Sequence, residues 1–357
     1  MSAARYEIFQ ARTVGDRNSA FDLWKEDMSD PRIAVAAERR MTWLYDEAPD
    51  GSPLTFLVRD TDSGHVIGCA SAMPRTVSVG DRELTAGVLA DFAVSRSSRV
   101  AGPAVKLQRA LAKQSIHSGI EFLYGYPNKK ALPIFKRLGF RVTGKVAMWV
   151  KPLRSREKLE PHLGRLAPAG AWLLDCALAI VDRGHSTART RGIHDGFVER
   201  FDERFDKLWQ NTSSREETVR PRRNAAFLNW RYVGHATERY SIFTIRRGSE
   251  LLAYAVSRQS GNKAFIVDAY WPEGKPELFD ALLLRLSNAL RQRDYVSICL
   301  IFMGYEGLSA RLRRLRFFER SLDRSLVVYV DKSQPAALRE LSHELSRWAL
   351  FDGELDI

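Results

Sequence analysis

The residues best able to do chemistry stand in one run, Arg99-Val100-Ala101-Gly102-Pro103-Ala104. The run follows an apolar stretch, Val88 to Val94, and opens a segment with helical periodicity, so it lies where a strand ends and a helix begins. The first turn of a helix leaves backbone N–H groups without intrahelical partners and carries the positive end of the dipole, a combination that binds anions. Gly102 lets a ligand approach the backbone, and Pro103 lacks only an N–H that the first turn does not use. Ala104 keeps the next turn small, and Arg99 adds a charge. A diphosphate is the natural guest. Two nearby groups can move protons: Asp91 within the strand, as a base, and Tyr126 at the end of the following strand Glu121 to Tyr126, as an acid, with Tyr124 beside it. The alternative is structural for both, Asp91 bonding a neighbouring backbone and Tyr126 packing at a strand end.

The run resembles the signature of the GNAT superfamily of acyl-CoA-dependent transferases: Gln or Arg, two residues, Gly, one residue, then Gly or Ala. Arg99, Gly102 and Ala104 meet it. Asn128, Ala131, Phe135, Gly139 and Phe140 are similar to a second family pattern at its own intervals, and together the likeness covers roughly residues 50 to 150. It implies transfer of an acyl group from acetyl-CoA or another acyl-CoA to a small-molecule amine. It further implies that Phe92, Ala93 and Val94 lie along the pantetheine arm, Arg99, Val100, Ala101, Gly102, Pro103 and Ala104 along the diphosphate, and Asn128 beside the cofactor. Phe227-Leu-Asn-Trp-Arg-Tyr232 and the tail Trp348 to Gly353 resemble tandem GNAT-like proteins encoded near polysaccharide genes, which points to an amino sugar or amino acid as acceptor. The sequence departs from the family at Phe135, where an acid Tyr usually stands. Either Tyr126 or Tyr124 substitutes for it, or the thiolate leaves without a dedicated acid. The alternatives are a donor carried by an acidic acyl carrier protein, and a non-catalytic ligand-binding module.

An internal repeat must position these groups. Val88-Leu-Ala-Asp91 aligns with Phe265-Ile-Val-Asp268, and Arg137-Leu-Gly-Phe140 with Arg314-Leu-Arg-Phe317; 268 − 91 and 317 − 140 both give 177. Each copy reads as a hairpin, a strand, an amphipathic helix, a second strand and another helix. The expected fold is α/β (α+β): two tandem GNAT-like domains, each a mixed, mostly antiparallel sheet flanked by helices. The expected division is 1–152 with the acyl-CoA cradle, a basic and apolar linker helix region at 153–194, and a degenerate copy at 195–357. In that copy Gly102 becomes Phe279, which fills the diphosphate's place.

The 357 residues, 45% of them hydrophobic, suffice for two cores. A net charge of +12 favours acidic partners, and the clusters Arg220 to Arg223 and Arg311 to Arg316 read as solvated helix faces. The polar N-terminus and the lack of a long apolar run indicate a cytoplasmic protein, with peripheral membrane contact open through residues 167–181 as the alternative to a packed linker helix. Cys69, Cys176 and Cys299 read as reduced, buried thiols, the dispersed histidines suggest no metal site, and no nucleic-acid motif accompanies the charge.

Overall fold

The computed structural model describes residues 5–27, 37–95, 98, 101–155, 160, 170–171, 173–176, 178, 180, 182, 192–211, 218–304 and 307–354. β1 (Tyr6–Gln10) pairs with β2 (Leu54–Asp60), whose apolar residues lead through the Asp62-Ser63-Gly64 turn into β3 (Val66–Val79). β4 (Arg82–Val94) returns antiparallel, the helix Ala101–His117 crosses over, and β5 (Phe122–Gly125) lies parallel to β4, an arrangement that needs such a crossover. The helix Leu132–Arg137 and β6 (Arg141–Pro152) follow.

The second copy contains β7 (His194–Val198), β8 (Val219–Pro221), β9 (Tyr240–Arg247), β10 (Glu250–Ser260), β11 (Lys263–Tyr270), the helix Pro276–Arg291, β12 (Ser297–Gly304), β13 (Phe318–Tyr329) and β14 (Ala349–Phe351). All join one 14-stranded sheet in the order β1-β2-β3-β4-β5-β13-β6-β12-β11-β10-β9-β7, with β8 attached to β3 and β14 to β12. Among the described residues β4–β5 and β11–β12 are the parallel pairs, so the sheet is mixed and mostly antiparallel.

An offset of 177 carries β6 onto β13 end to end, since 318 − 141 and 329 − 152 both give that value. The chain exchanges these two equivalent strands. β13 pairs with β5 through Val327↔Gly125, Val328↔Tyr124 and Tyr329↔Leu123, while β6 pairs with β12 from Ser297↔Pro152 to Phe302↔Ala147. The two lie antiparallel against each other at the centre. Packing follows the exchange: Trp149 of β6 joins the core of Leu278, Phe279 and Leu282, and Val327 of β13 joins that of Leu107, Leu111 and Phe135. Each half is thus completed by the other's last strand.

A second fastening joins the halves. Two short helices end in π-turns, Thr42–Asp46 and Asn229–Val233, which carry Trp43-x-Tyr45 and Trp230-x-Tyr232. The indoles stack at 4.7 Å and 16°, and each indole N–H donates to the other's backbone carbonyl at 2.8 Å. This reciprocal contact satisfies both buried donors.

Within the expected linker helix at 167–181, residues 170–171, 173–176, 178 and 180 are described and helical; Ala171 is buried and Asp175 accepts from the Ser155 backbone N–H at 2.8 Å, whereas Leu173, Leu174 and Ile180 are exposed. Of the described ones nearby, Asp182 accepts from buried Lys151 at 3.0 Å and from Arg291 at 2.5 Å, anchoring the segment to both halves. No helix among the described residues is long and apolar enough to cross a membrane. Cys69 and Cys299 are buried as expected, whereas Cys176 is half-buried.

Candidate active site

The parallel pairing of β4 and β5 runs from Ala86↔Phe122 to Val88↔Tyr124 and stops there, although β4 continues to Val94. There β5 ends, with Gly125 its last residue. Leu89, Ala90, Asp91 and Phe92 are only half-buried, and a side chain at Gly125 would meet the Leu89 Cβ at 2.8 Å. A β-bulge sits in this stretch: Ala90 pairs with Ser71 and Ala93 with Cys69, so Asp91 and Phe92 together oppose one residue. Asp91 takes φ +49°, a left-handed conformation that Asp tolerates better than most side chains, and the Cys69 thiol donates to its carbonyl at 3.0 Å. Its side chain accepts from Arg40 at 2.8 Å, both groups being largely buried.

The cradle helix begins beside this opening. Gly102 is exposed, and among the described residues a Cβ added there would find no atom within 4 Å. Pro103 and Ala104 are buried beneath it. Arg99 and Val100 lie outside the described residues, as does the side chain of Ala101. Asn128 sits on the opposite side, where its side-chain oxygen accepts from the backbone N–H groups of Lys130 and Ala131 at 3.0 Å each. That oxygen caps the turn into Leu132–Arg137.

Tyr124 lies in β5 and Tyr126 just after it, their rings edge to face at 6.5 Å. Both hydroxyls are buried and have no hydrogen-bond partner among the described residues. Burial, reinforced by Tyr124 and Glu354, raises the Tyr126 phenol well above its ordinary value, which keeps it protonated at neutral pH. Phe135 packs edge to face on Phe92 at 5.9 Å and on Phe140 at 5.0 Å, a core residue beneath the bulge.

The second half has a bulge in the equivalent strand, at Val267 between the pairs Val256↔Asp268 and Ser257↔Ile266, but Ile266, Val267, Asp268 and Ala269 are all buried. The crossover helices begin at Ala101 and Pro276 and the strands after them at Phe122 and Ser297, and 276 − 101 and 297 − 122 both give 175, so here the halves run two residues off the 177 register. Against the sequence expectation, exposed Glu277 therefore matches Gly102, and Phe279, fully buried against Trp271 at 4.3 Å, takes the core position of Ala104 and does not fill the diphosphate's place. Asp268 is fully buried against Arg223 Nε at 2.9 Å, and burial raises its carboxyl against that guanidinium's pull. An arginine partner for both Asp91 and Asp268 gives the shared position a structural component, and Asp268 Oδ1 also accepts from the neighbouring backbone N–H of Ala269 at 3.0 Å.

The Arg220 to Arg223 cluster departs from the sequence reading. It lies in and after strand β8, and Arg220 and Arg223 are 4% and 1% exposed because buried carboxylates await them: Glu273 for Arg220, Asp50 for Arg222 and Asp268 for Arg223. Arg75 of β3 is the hub. It donates to Glu354 at 3.1 and 3.0 Å, to Asp50 at 3.3 Å and to the Arg222 carbonyl at 2.8 Å, with its guanidinium 3.3 Å above the Phe227 ring. Burial pushes the Glu354 carboxyl upward, but Arg75 and Arg223 outweigh it and hold it below its ordinary range.

Sequence reasoning missed Arg40, Arg75, His235 and Glu354; the repeated Trp-x-Tyr at 43 and 230 was the available signal for the first half's contact with the second. His235 reaches across this contact, its ring 4.5 Å from Trp43. Its Nδ1 accepts from the N–H groups of Thr237 and Glu238, and burial, with Arg231 and Arg40 nearby, lowers its pKa to about 3. A depressed histidine stabilises the fold fully above its unfolded value near 6.5 and loses that contribution as pH falls toward 3. Urea unfolding should therefore show stability declining from about pH 6.5 downward. His235→Gln should flatten that slope, and an unchanged slope would place the titration elsewhere.

Residues 18–140 match the profile of the Acetyltransferase (GNAT) family, a span that contains the bulge, the cradle, Asn128 and Phe140. No curated protein matches the chain. Among solved structures the fold is similar to a conserved protein of unknown function from Enterococcus faecalis V583, described as a probable N-acyltransferase, with 10% identity, TM-score 0.62, and 92% of this chain and 73% of that one covered. It is similar to a GCN5-related N-acetyltransferase from Anabaena variabilis at 12% identity and TM-score 0.62, covering 91% and 73%. A GCN5-related N-acetyltransferase from Kribbella flavida gives 9% identity and TM-score 0.59, covering 91% and 71%. At these identities the likeness is one of fold, and it extends through both halves.

Proposed function

We propose, from the premise that this chain is a GNAT-superfamily protein and a GNAT-type N-acyltransferase, that its first half alone binds acyl-CoA and passes the acyl group to a small amine. The observation that carries this reading is the contrast between the halves: Leu89 to Phe92 are half-buried, whereas their counterparts Ile266 to Ala269 are buried. Acetyl-CoA is the donor we assign, and an amino sugar or amino acid of polysaccharide metabolism the acceptor. The diphosphate lies over the first turn at Gly102 to Ala104, and the arm runs along Phe92 to Val94.

In the transfer the amine nitrogen bonds to the thioester carbonyl carbon and the C–S bond breaks. The amine proton goes to a base and the leaving sulfur takes one from an acid. Asp91 is the base, oriented by Arg40, and Tyr126 is the acid, its unpartnered hydroxyl free to donate. Calorimetric titration with acetyl-CoA should give one site per chain. Assaying thiol release against a panel of amino sugars and amino acids, Tyr126→Phe should lower kcat by about a hundredfold without weakening acetyl-CoA binding. An unchanged kcat would mean that the thiolate leaves without this acid.

A carrier-protein donor is a second reading, supported by one observation. Residues 122–156 contain nine Lys and Arg and no Asp or Glu, and Lys129, Lys130, Lys136, Arg137, Arg141 and Lys145 are exposed near the slot. Turnover with acetylated acyl carrier protein but not with acetyl-CoA, suppressed by salt, would select it.

A further inference from the structure

β11 and β12 pair in parallel from Lys263↔Ser297 to Ile266↔Leu300, and the pairing ends there, as that of β4 and β5 does at Val88↔Tyr124. In the second half the gap is filled. β14 pairs antiparallel with β12 through Phe302↔Phe351, Met303↔Leu350 and Gly304↔Ala349. Phe302 also pairs with Ala147 of β6, so β14 must lie on the other side of β12, the side that β11 has left. The 3-10 turn Asp352–Glu354 then reaches β11: the Arg231 side chain donates to the Gly353 carbonyl at 3.0 Å, and a Cβ at Gly353 would stand 2.9 Å from the Val267 carbonyl oxygen. Val267 is the bulge residue next to Asp268.

We propose that the second half retains a pantetheine-shaped slot and that its permanent ligand is the chain's own C-terminal segment, Trp348–Glu354. The analogy with the donor's arm rests on reading the first half's opening as the acyl-CoA slot. Three features mark the segment as built for the place. Trp348, Ala349, Leu350 and Phe351 are fully buried. Gly304 at the end of β12 has φ +75°, and a Cβ there would lie 1.6 Å from the Trp348 carbonyl oxygen, so the tail's approach requires glycine. Glu354 anchors the end on Arg75 of the first half. The segment also reaches the first half's slot, since Trp348 packs on Phe122 and Tyr124 at 5.9 and 5.3 Å. The tail replaces in the second half what a cofactor arm would supply, backbone pairing and apolar filling, and it couples that filling to the strand that carries the proposed acid.

Hydrogen exchange on the full chain, read by mass spectrometry without ligand and with saturating acetyl-CoA, tests the proposal. Peptides covering 348–354 should exchange about a thousandfold or more below the free-peptide rate in both states, as a core strand does. Added acetyl-CoA should slow exchange in residues 89–94 and leave 266–270 and the tail as they were. Gly304→Val should release the tail to rapid exchange. Rapid exchange of the tail in the unaltered apo chain, or tail release together with a second bound equivalent when acetyl-CoA is added, would overturn the proposal. Unchanged tail protection in a folded Gly304→Val chain would overturn it too. A protected tail in a chain that binds no acetyl-CoA would support the seated segment and count instead against the donor reading of the first half.

Discussion

Gly102→Phe should abolish measurable acetyl-CoA binding while leaving the protein as stable as before. The two effects separate because of where Gly102 stands. Its backbone has no left-handed φ to protect, and the position where a Cβ would form is open for 4 Å around, so the free protein accommodates the larger residue. Phe also has a better helix propensity than Gly by a few tenths of a kcal/mol, which acts in favour of the variant. The ring would project from the first turn, where the donor's diphosphate requires close approach to backbone N–H groups. Calorimetry and thermal melts on the same preparation decide the matter. Binding that survives with unchanged affinity would mean that the donor lies elsewhere, and a collapse in melting temperature would mean that Gly102 is structural.

Arg75→Ala should destabilise the chain by about 3–5 kcal/mol, the cost of removing one partner from a buried ion network. The truncation leaves Glu354 and Asp50, both buried, without their principal guanidinium and removes the cation over Phe227. It also severs an attachment between β3 of the first half and the C-terminal segment seated in the second. Arg59→Ala provides the comparison. Its pair with Glu7 is solvated, with side chains 38% and 52% exposed, and should contribute no more than about 1 kcal/mol. Urea midpoints for the two variants should differ severalfold in their displacement from the parent. Equal displacements would show that the inter-half network adds little beyond a surface pair. Charge shape matters as well as sign: Arg75 contacts Glu354 through two nitrogens, a fork that Lys does not reproduce, so Arg75→Lys should recover only part of the loss.

Local pattern was enough to identify the strands and the two crossover helices. The hairpins at β2–β3 and β9–β10, the helix at Ala101–His117 and the strand-to-helix position of Gly102 all follow from period, turn residues and spacing within about 20 residues, the range over which backbone preference and amphipathic burial act. The offset of 177 likewise announced two equivalent halves, but the reading of Phe279 as the counterpart of Gly102 failed, because the crossover helix and the strand after it run two residues off that register. The sequence could not say which half each final strand would join. β6 and β13 occupy the same repeat position, and either sheet could accept either strand; the exchange is decided by the joint packing of Trp149 and Val327 into opposite cores. Nor could composition separate a solvated arginine from Arg75 or Arg223. Their burial depends on carboxylates brought from far along the chain, Glu354 to Arg75 and Asp268 to Arg223, and the energy of a charge is set by its three-dimensional surroundings. The open slot of the first half was legible because its residues are local. The filling of the second by a later segment of the chain became visible only in the tertiary structure, because more than forty residues, β13 among them, separate Gly304 from the segment that covers it.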